Sequence, residues 1–275
     1  MPPPPTKLPL EVAVFSGANA IQAQHQGVQR VELNAPGSYF NGGLTPPIQE
    51  FASVAKWLRI PVRIMIRPVG APLGAADRDF RYTNAQFAAM KRSIAEFKDL
   101  GAMNPFRGDG FVFGILRSAP QDHIDQDESA RVAIDIARCT ELINVARPFP
   151  CIFHRAFDPI ADTKLLHQGL EDLVVCGFEG VLTSGGTGSH DAHLDRLDAI
   201  MCHLAAHERL RYLQVIVGGG VRSRNAGMAV AKLGTHSPGT VWLHSACLTN
   251  HPNHENLNDI ELRDLMACLE LSQPD

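Results

Sequence analysis

Five side chains of this 275-residue sequence are of types that carry proton transfer or anion recognition: Glu11, Glu32, Arg67, His154 and Asp158. Glu11 and Glu32 each stand in a short apolar run, EVAV and VEL. If the two runs are adjacent strands, the carboxylates face one another. They then either share a proton, because like charges resist joint ionisation, or hold a divalent cation, which takes oxygen ligands. The alternative is that each is neutralised by a neighbouring arginine. His154, in CIFHRAFD, exchanges a proton near pH 7, with Asp158 as the nearby carboxylate that tunes it. It reads equally as a histidine hydrogen-bonded inside a core. Arg67 precedes Pro68, which biases it to extended backbone and so to a strand exit. Its guanidinium suits a two-point clamp on carboxylate or phosphate, or neutralises Glu32.

A second set reads as ligand-binding. Arg155 follows His154 directly. Thr183, Ser184, Gly185 and Gly186 form TSGG, Gly218, Gly219 and Gly220 open VGGGVRS, and His244 with Ser245 closes the run VWLHS. Glycine turns let backbone N–H groups approach an oxyanion, so the expected ligand is a small anion, phosphate among the candidates. The pairs His203/His207 and His190/His193 have spacings a metal could use. Their segment, HDAHLDRLDAIMCHLAAHER, reads as a charged outer helix with solvated histidines, and no metal ligand is assigned to them.

The elements that must position these groups recur as one unit, a short β-rich run followed by a longer helical segment. Eight such runs are readable: Leu10 to Phe15, Arg30 to Leu33, Val62 to Arg67, Gly110 to Leu116, Cys151 to His154, Gly180 to Thr183, Gln214 to Val217 and Val241 to His244. Several are apolar throughout, as parallel strands covered on both faces are. Asn84 to Leu100 and Ile124 to Val145 show helical spacing of apolar residues. Gly27, Gly101 and Gly177 mark turns after helices. No dinucleotide fingerprint follows the first run, which reads SGANAIQA. The sequence therefore predicts a single (β/α)8 TIM-type barrel over residues 10–272 behind a proline-rich tail at 1–9, with added loops at Val69 to Arg78 and Asn250 to Asn258. In such a barrel the candidate residues meet at the rim where strands end.

Hydrophobic residues make up 45% of the chain and charged residues 20%, a balance that supports one packed core. The net charge of −4, with no basic runs, excludes nucleic acid as the expected partner. The start MPPPPTKLPL has a proline run where a signal peptide needs a continuous apolar stretch, so none is expected, and no apolar run continues for the roughly 18 residues of a membrane span. Cys139, Cys151, Cys176, Cys202, Cys247 and Cys268, with no CxxC pair, read as reduced thiols of a cytoplasmic protein.

The same strand-end motifs, RVEL, GGLTP, IRP, DFRY, FHRAFD, VLTSGG and VGGGV in this order from about Leu10 to Leu269, resemble the CutC copper-homeostasis family. The resemblance implies a self-associating TIM-type barrel and Cu(I) as the bound ion. It also implies cysteine ligands near the end of the first strand and just after the VEL of the second. Here those positions read Ala13, Val14 and Asn34, and Cys247 is the cysteine nearest the expected rim. Two functional expectations follow: copper homeostasis, or acid/base chemistry on a small phosphorylated or carboxylated metabolite without direct copper binding.

Overall fold

The structure, a computed structural model, describes residues 8–74, 79–118, 132–237, 239–248 and 255–270. Most of the tail at 1–9 and parts of both added loops lie outside the described residues.

Eight parallel strands close into a barrel: β1 (Leu10–Val14), β2 (Arg30–Leu33), β3 (Val62–Met65), β4 (Gly110–Phe113), β7 (Cys151–Phe153), β8 (Gly180–Thr183), β9 (Gln214–Val217) and β10 (Val241–Ser245). Each pairs with its neighbours in chain order, and β10 pairs back onto β1 with Glu11 beside His244. All eight expected runs form strands, in places one to three residues shorter than read. Side chains alternate across each strand. Outward residues such as Leu10, Ile64, Phe111 and Val215 join the helices in the main core. Inward, Met65, Val112, Ile152, Leu182 and Ile216 plug the barrel as a separate apolar cluster with Trp242 against it. That plug makes the barrel interior solid and leaves the open space above it, at the strand C-termini.

The helices form where caps and apolar spacing agree. Thr83 starts α3 (Asn84–Asp99) with a reciprocal capping box, its hydroxyl accepting from Gln86 N–H and the Gln86 amide oxygen accepting from Thr83 N–H. Phe87, Met90, Ile94 and Phe97 then form its buried stripe. Gly27, Gly101 and Gly177 all take positive φ after their helices, as expected. Among the described residues no helix is long and apolar enough to cross a membrane.

One segment departs from the reading. Of the helix expected over Ile124 to Val145, the described residues hold α4 (Ile136–Ala146), capped by the Asp135 carboxylate at Arg138 N–H. Before it, β6 (Val132–Ile134) pairs antiparallel with β5 (Leu116–Ser118), a small hairpin sheet outside the barrel. Residues 119–131, which include the start of the expected helix, lie outside the described residues. Leu116, read as the end of a barrel strand, instead donates its N–H to the Phe80 carbonyl at 2.9 Å and braces the loop over the mouth.

Candidate functional site

A cavity of about 760 Å³ opens at the strand C-termini, within the range of small-molecule sites. Glu32, Asn34, Arg67, His154 and His244 all line it. Of the five side chains singled out for chemistry, Glu32, Arg67, His154 and Asp158 share this one chamber, joined by Arg155, His244 and Ser245 of the ligand-binding set. Glu11 does not. It lies one inward position below, at the start of β1, with 1% of its surface exposed.

The Glu11 carboxylate is held on both oxygens. One accepts from Arg30 Nε and the other from His244 Nδ1 at 2.7 Å. Arg30 itself stacks 3.9 Å over the Trp242 ring. Burial pushes the Glu11 carboxyl up, but the Arg30 charge and the His244 hydrogen bond outweigh it and hold the group down to about 2. Glu11 is therefore a fixed anion that orients an imidazole, and its expected role as a proton-exchanging group passes to His244. Burial lowers the His244 pKa, yet the two neighbouring carboxylates, Glu32 and Glu11, raise it above the ordinary value.

Glu32 differs from Glu11 because no guanidinium pairs with it. Asn34 Nδ2 donates to Oε1 at 3.0 Å, while Oε2 is buried without a partner. Burial raises its pKa, and the Glu11 charge adds to the rise. Glu11, Glu32 and His244 each bring one ligating atom to within 4.8 Å of the others, so the expected proximity of the carboxylates is met. The Arg30 charge beside them already neutralises Glu11 and so disfavours a divalent cation in this cluster.

His154 is neutral. Burial first, then the Arg67 charge, lowers its pKa to about 3. Its Nδ1 accepts from Ala156 N–H at 3.2 Å, which assigns the ring proton to Nε2. That N–H is buried and has no partner. Leaving one such polar group unsatisfied costs about 1–3 kcal/mol, so the Glu32 and His154 atoms together mark where a ligand would bond. The expected tuning of His154 by Asp158 is not found. Asp158 accepts from Thr183 Oγ1 at 2.6 Å, Ser184 N at 2.9 Å, Ser184 Oγ at 3.0 Å and Arg155 Nε at 2.7 Å, which fixes the turn after β8.

Arg67 neutralises Asp79, not Glu32. Its Nη2 donates to both Asp79 oxygens at 3.1 and 2.9 Å, and its Nη1 to the carbonyls of Asn41 and Gly43. The guanidinium lies 4.8 Å over the Phe80 ring, whose other neighbour is the His154 ring at 4.7 Å. Phe80 adopts φ 61°, a conformation costly for a bulky residue and held here by the Asp79 and Leu116 bonds. The GGLTP motif has a matching cause. A Cβ on Gly42 would stand 2.9 Å from Arg67 Nη1, and one on Gly43, at φ 85°, would stand 2.1 Å from Asn34 Oδ1.

The anion-binding glycines are only partly those expected. Thr183 and Ser184 are fully buried beneath the wall, Gly185 N–H bonds back to Thr183 Oγ1, and a Cβ on Gly186 would meet Arg196 and Asp162. These four, with Gly218 packed on Leu182, shape the turn and do not line the chamber. Gly219 and Gly220 do line it, both at φ 86°. Their N–H groups have no protein acceptor among the described residues. Beside them stand Arg155 and Arg222, the latter bonded to Ser245 Oγ at 3.1 Å. Arg222, Asn34 and Phe80 belong to the site without having been singled out; an arginine two positions after a glycine run was the available signal for the first.

Of the histidines read as solvated, His207 is exposed and His193 and His203 are half-buried, while His190 needs correction. His190 is fully buried with its ring against the Gly219 carbonyl, outside α7 (Leu194–Ala206). The His203 ring lies between those of His167 and His207, 4.1 and 4.2 Å away, with Nε2 buried.

A family model described as the CutC family matches residues 8–246. A protein from Homo sapiens named copper homeostasis protein cutC homolog is 34% identical over 216 residues, covering 78% of this chain and 66% of that protein. The chain thus spans just under two thirds of the human relative's length. A family protein CutC from Klebsiella pneumoniae is 31% identical over 245 residues, 88% of this chain and 85% of its own. The crystal structure of a CutC protein from Streptococcus agalactiae superposes with a TM-score of 0.67 at 21% identity, covering 87% of this chain and 98% of that one, which supports the fold.

Proposed function

The chain belongs to the CutC family, and from that membership we propose that its barrel mouth binds a small anionic metabolite, with His244 and Glu32 as an acid/base pair on the floor. The observation that carries this reading is a chamber whose depth holds a buried carboxyl oxygen, Glu32 Oε2, and a buried donor, His154 Nε2–H, both without protein partners. Its rim carries Arg155, Arg222 and the amides of Gly219 and Gly220. A charged group would sit at the rim, where solvent and arginines stabilise it, and a hydroxyl or carbonyl would reach the floor.

The relatives' names tie them to copper homeostasis. Cu(I) takes thiolate and thioether donors. Among the described residues that line this chamber, Met65 is the sole sulfur ligand. Cys247 is fully buried off the chamber, and burial pushes its thiol up to about 11. Asn34, at a position where the resemblance implies a thiol, is occupied with Glu32. These side chains do not fit Cu(I) at the mouth, so the ion takes no part in the proposed chemistry.

Calorimetric titration with inorganic phosphate tests the anion site. Arg222→Ala should weaken binding about tenfold, the worth of one charge-assisted hydrogen bond, with the fold retained by circular dichroism at the titration temperature. Equal affinity in the two proteins would overturn the rim assignment.

A further inference from the structure

We infer that the chamber moves a proton between adjacent carbons of a small 2-hydroxy carbonyl compound bearing a phosphate or carboxylate, an aldose–ketose type of isomerisation. This rests on the anion reading above and adds a reaction to it.

The inference comes from the chemical complementarity of two of the four unsatisfied side-chain atoms in the chamber lining, Glu32 Oε2 and His154 Nε2, the others being Asn34 Oδ1 and Arg67 Nε. Glu32 on β2 and His154 directly after β7 stand three strands apart around the barrel and line the same chamber, so one small ligand on the floor can meet both. Glu32 Oε2 has no bond to hold it away from a substrate C–H. His154 is a donor fixed in one tautomer, and a neutral imidazole held this way is the electrophile suited to an oxygen that gains charge, because it donates without itself losing a proton. The third group, His244, is aimed by Glu11 through Nδ1, as a proton-shuttling imidazole must be. Phe80, wedged between Arg67 and His154 in a left-handed conformation, keeps the imidazole plane in place and so acts as a positioning residue.

The step balances within the substrate. The C–H bond at the hydroxyl-bearing carbon breaks, its proton goes to the Glu32 carboxylate, and its electron pair forms a C=C bond while the carbonyl π pair moves onto oxygen. His154 Nε2–H bonds that oxygen as the enediolate forms. His244 carries the hydroxyl proton of the first carbon to the former carbonyl oxygen, and Glu32 returns its proton to the former carbonyl carbon. One carbon is oxidised as its neighbour is reduced, so no external oxidant or reductant enters.

The test is proton NMR in D2O with the full chain and a panel of glyceraldehyde 3-phosphate, ribose 5-phosphate, glucose 6-phosphate and their ketose isomers. The expected result is exchange of the hydrogen beside the carbonyl in at least one member. Glu32→Gln should slow it about 100-fold or more while inorganic phosphate still binds. His154→Gln should lower kcat more than it raises KM. If Glu32→Gln fails to fold, the His154 variant carries the test. Binding of panel members without exchange, or exchange unchanged in either folded variant, overturns the proposed reaction and leaves the anion site standing. Failure of both phosphate and the panel to bind overturns the anion site and the reaction together.

Discussion

His244 Nδ1 lies 2.7 Å from a Glu11 carboxylate whose other oxygen is bonded to Arg30, so a buried ion pair anchors the one imidazole on the chamber floor whose pKa is raised. Because Glu11 is buried and ionised, its contribution to stability is both large and pH-dependent.

Glu11→Gln should destabilise the fold by about 3–5 kcal/mol, since it leaves Arg30 as a buried charge without its counterion. Urea unfolding at neutral pH measures this, and a loss under 1 kcal/mol would show that Arg30 finds other partners. In the parent, the folded pKa of Glu11 is lowered from 4.5 to about 2. The stabilisation is fully present above pH 4.5 and is lost as pH falls toward 2, an effect of about 3 kcal/mol.

His154 should add an acid-sensitive slope of its own. Its pKa falls from 6.5 to about 3 on folding. The unfolded chain therefore binds a proton that the folded chain refuses, and stability declines as pH drops below 6.5, by up to about 5 kcal/mol at pH 3. Unfolding midpoints of His154→Gln should fall less steeply between pH 6.5 and 4 than those of the parent. Parallel slopes would place the acid sensitivity elsewhere.

Arg67→Lys should lower stability by about 2 kcal/mol or more, because an ammonium cannot reach Asp79 and the Asn41 and Gly43 carbonyls together while lying on Phe80. The fluorescence-monitored unfolding midpoint reads it. A shift near zero would mean the loops hold without the guanidinium.

Gly43→Ala combines a positive φ with a Cβ 2.1 Å from Asn34 Oδ1. A cost of about 1–3 kcal/mol from backbone strain is expected, together with displacement of the Asn34 amide from Glu32. Calorimetric melting checks the first and phosphate-independent ligand binding on the floor the second. An unchanged melting temperature would sink the account of the GGLTP motif.

Reduced protein titrated with Cu(I) against a competing chelator should bind no better than a Cys247→Ser variant, because the Cys247 thiol is buried away from the chamber. Tight binding that requires Cys247 would restore a copper site at the mouth.

The barrel was legible because its signals are local. A parallel strand covered on both faces needs a short, nearly continuous apolar run, and every such run became a strand. The hairpin at Leu116 and Val132 was not legible, because an apolar triplet such as Val132–Ile134 reads as helix or strand until its partner, distant in the chain, is known.

The sequence by itself determined that Glu32, His154, Arg67 and His244 stand at or just past the C-terminal ends of barrel strands, since strand alternation and the (β/α)8 repeat put them there. Only the tertiary structure decided which of two similar glutamates is free. Glu11 meets Arg30 because strand register sets them side by side below the apolar plug, while Glu32, one inward position higher, faces the open chamber with one oxygen unpartnered. The same holds for Asp158 and Arg67, whose partners Ser184 and Asp79 come from other loops. Depth along a closed barrel depends on how all eight strands stagger, and no single segment of the chain encodes that.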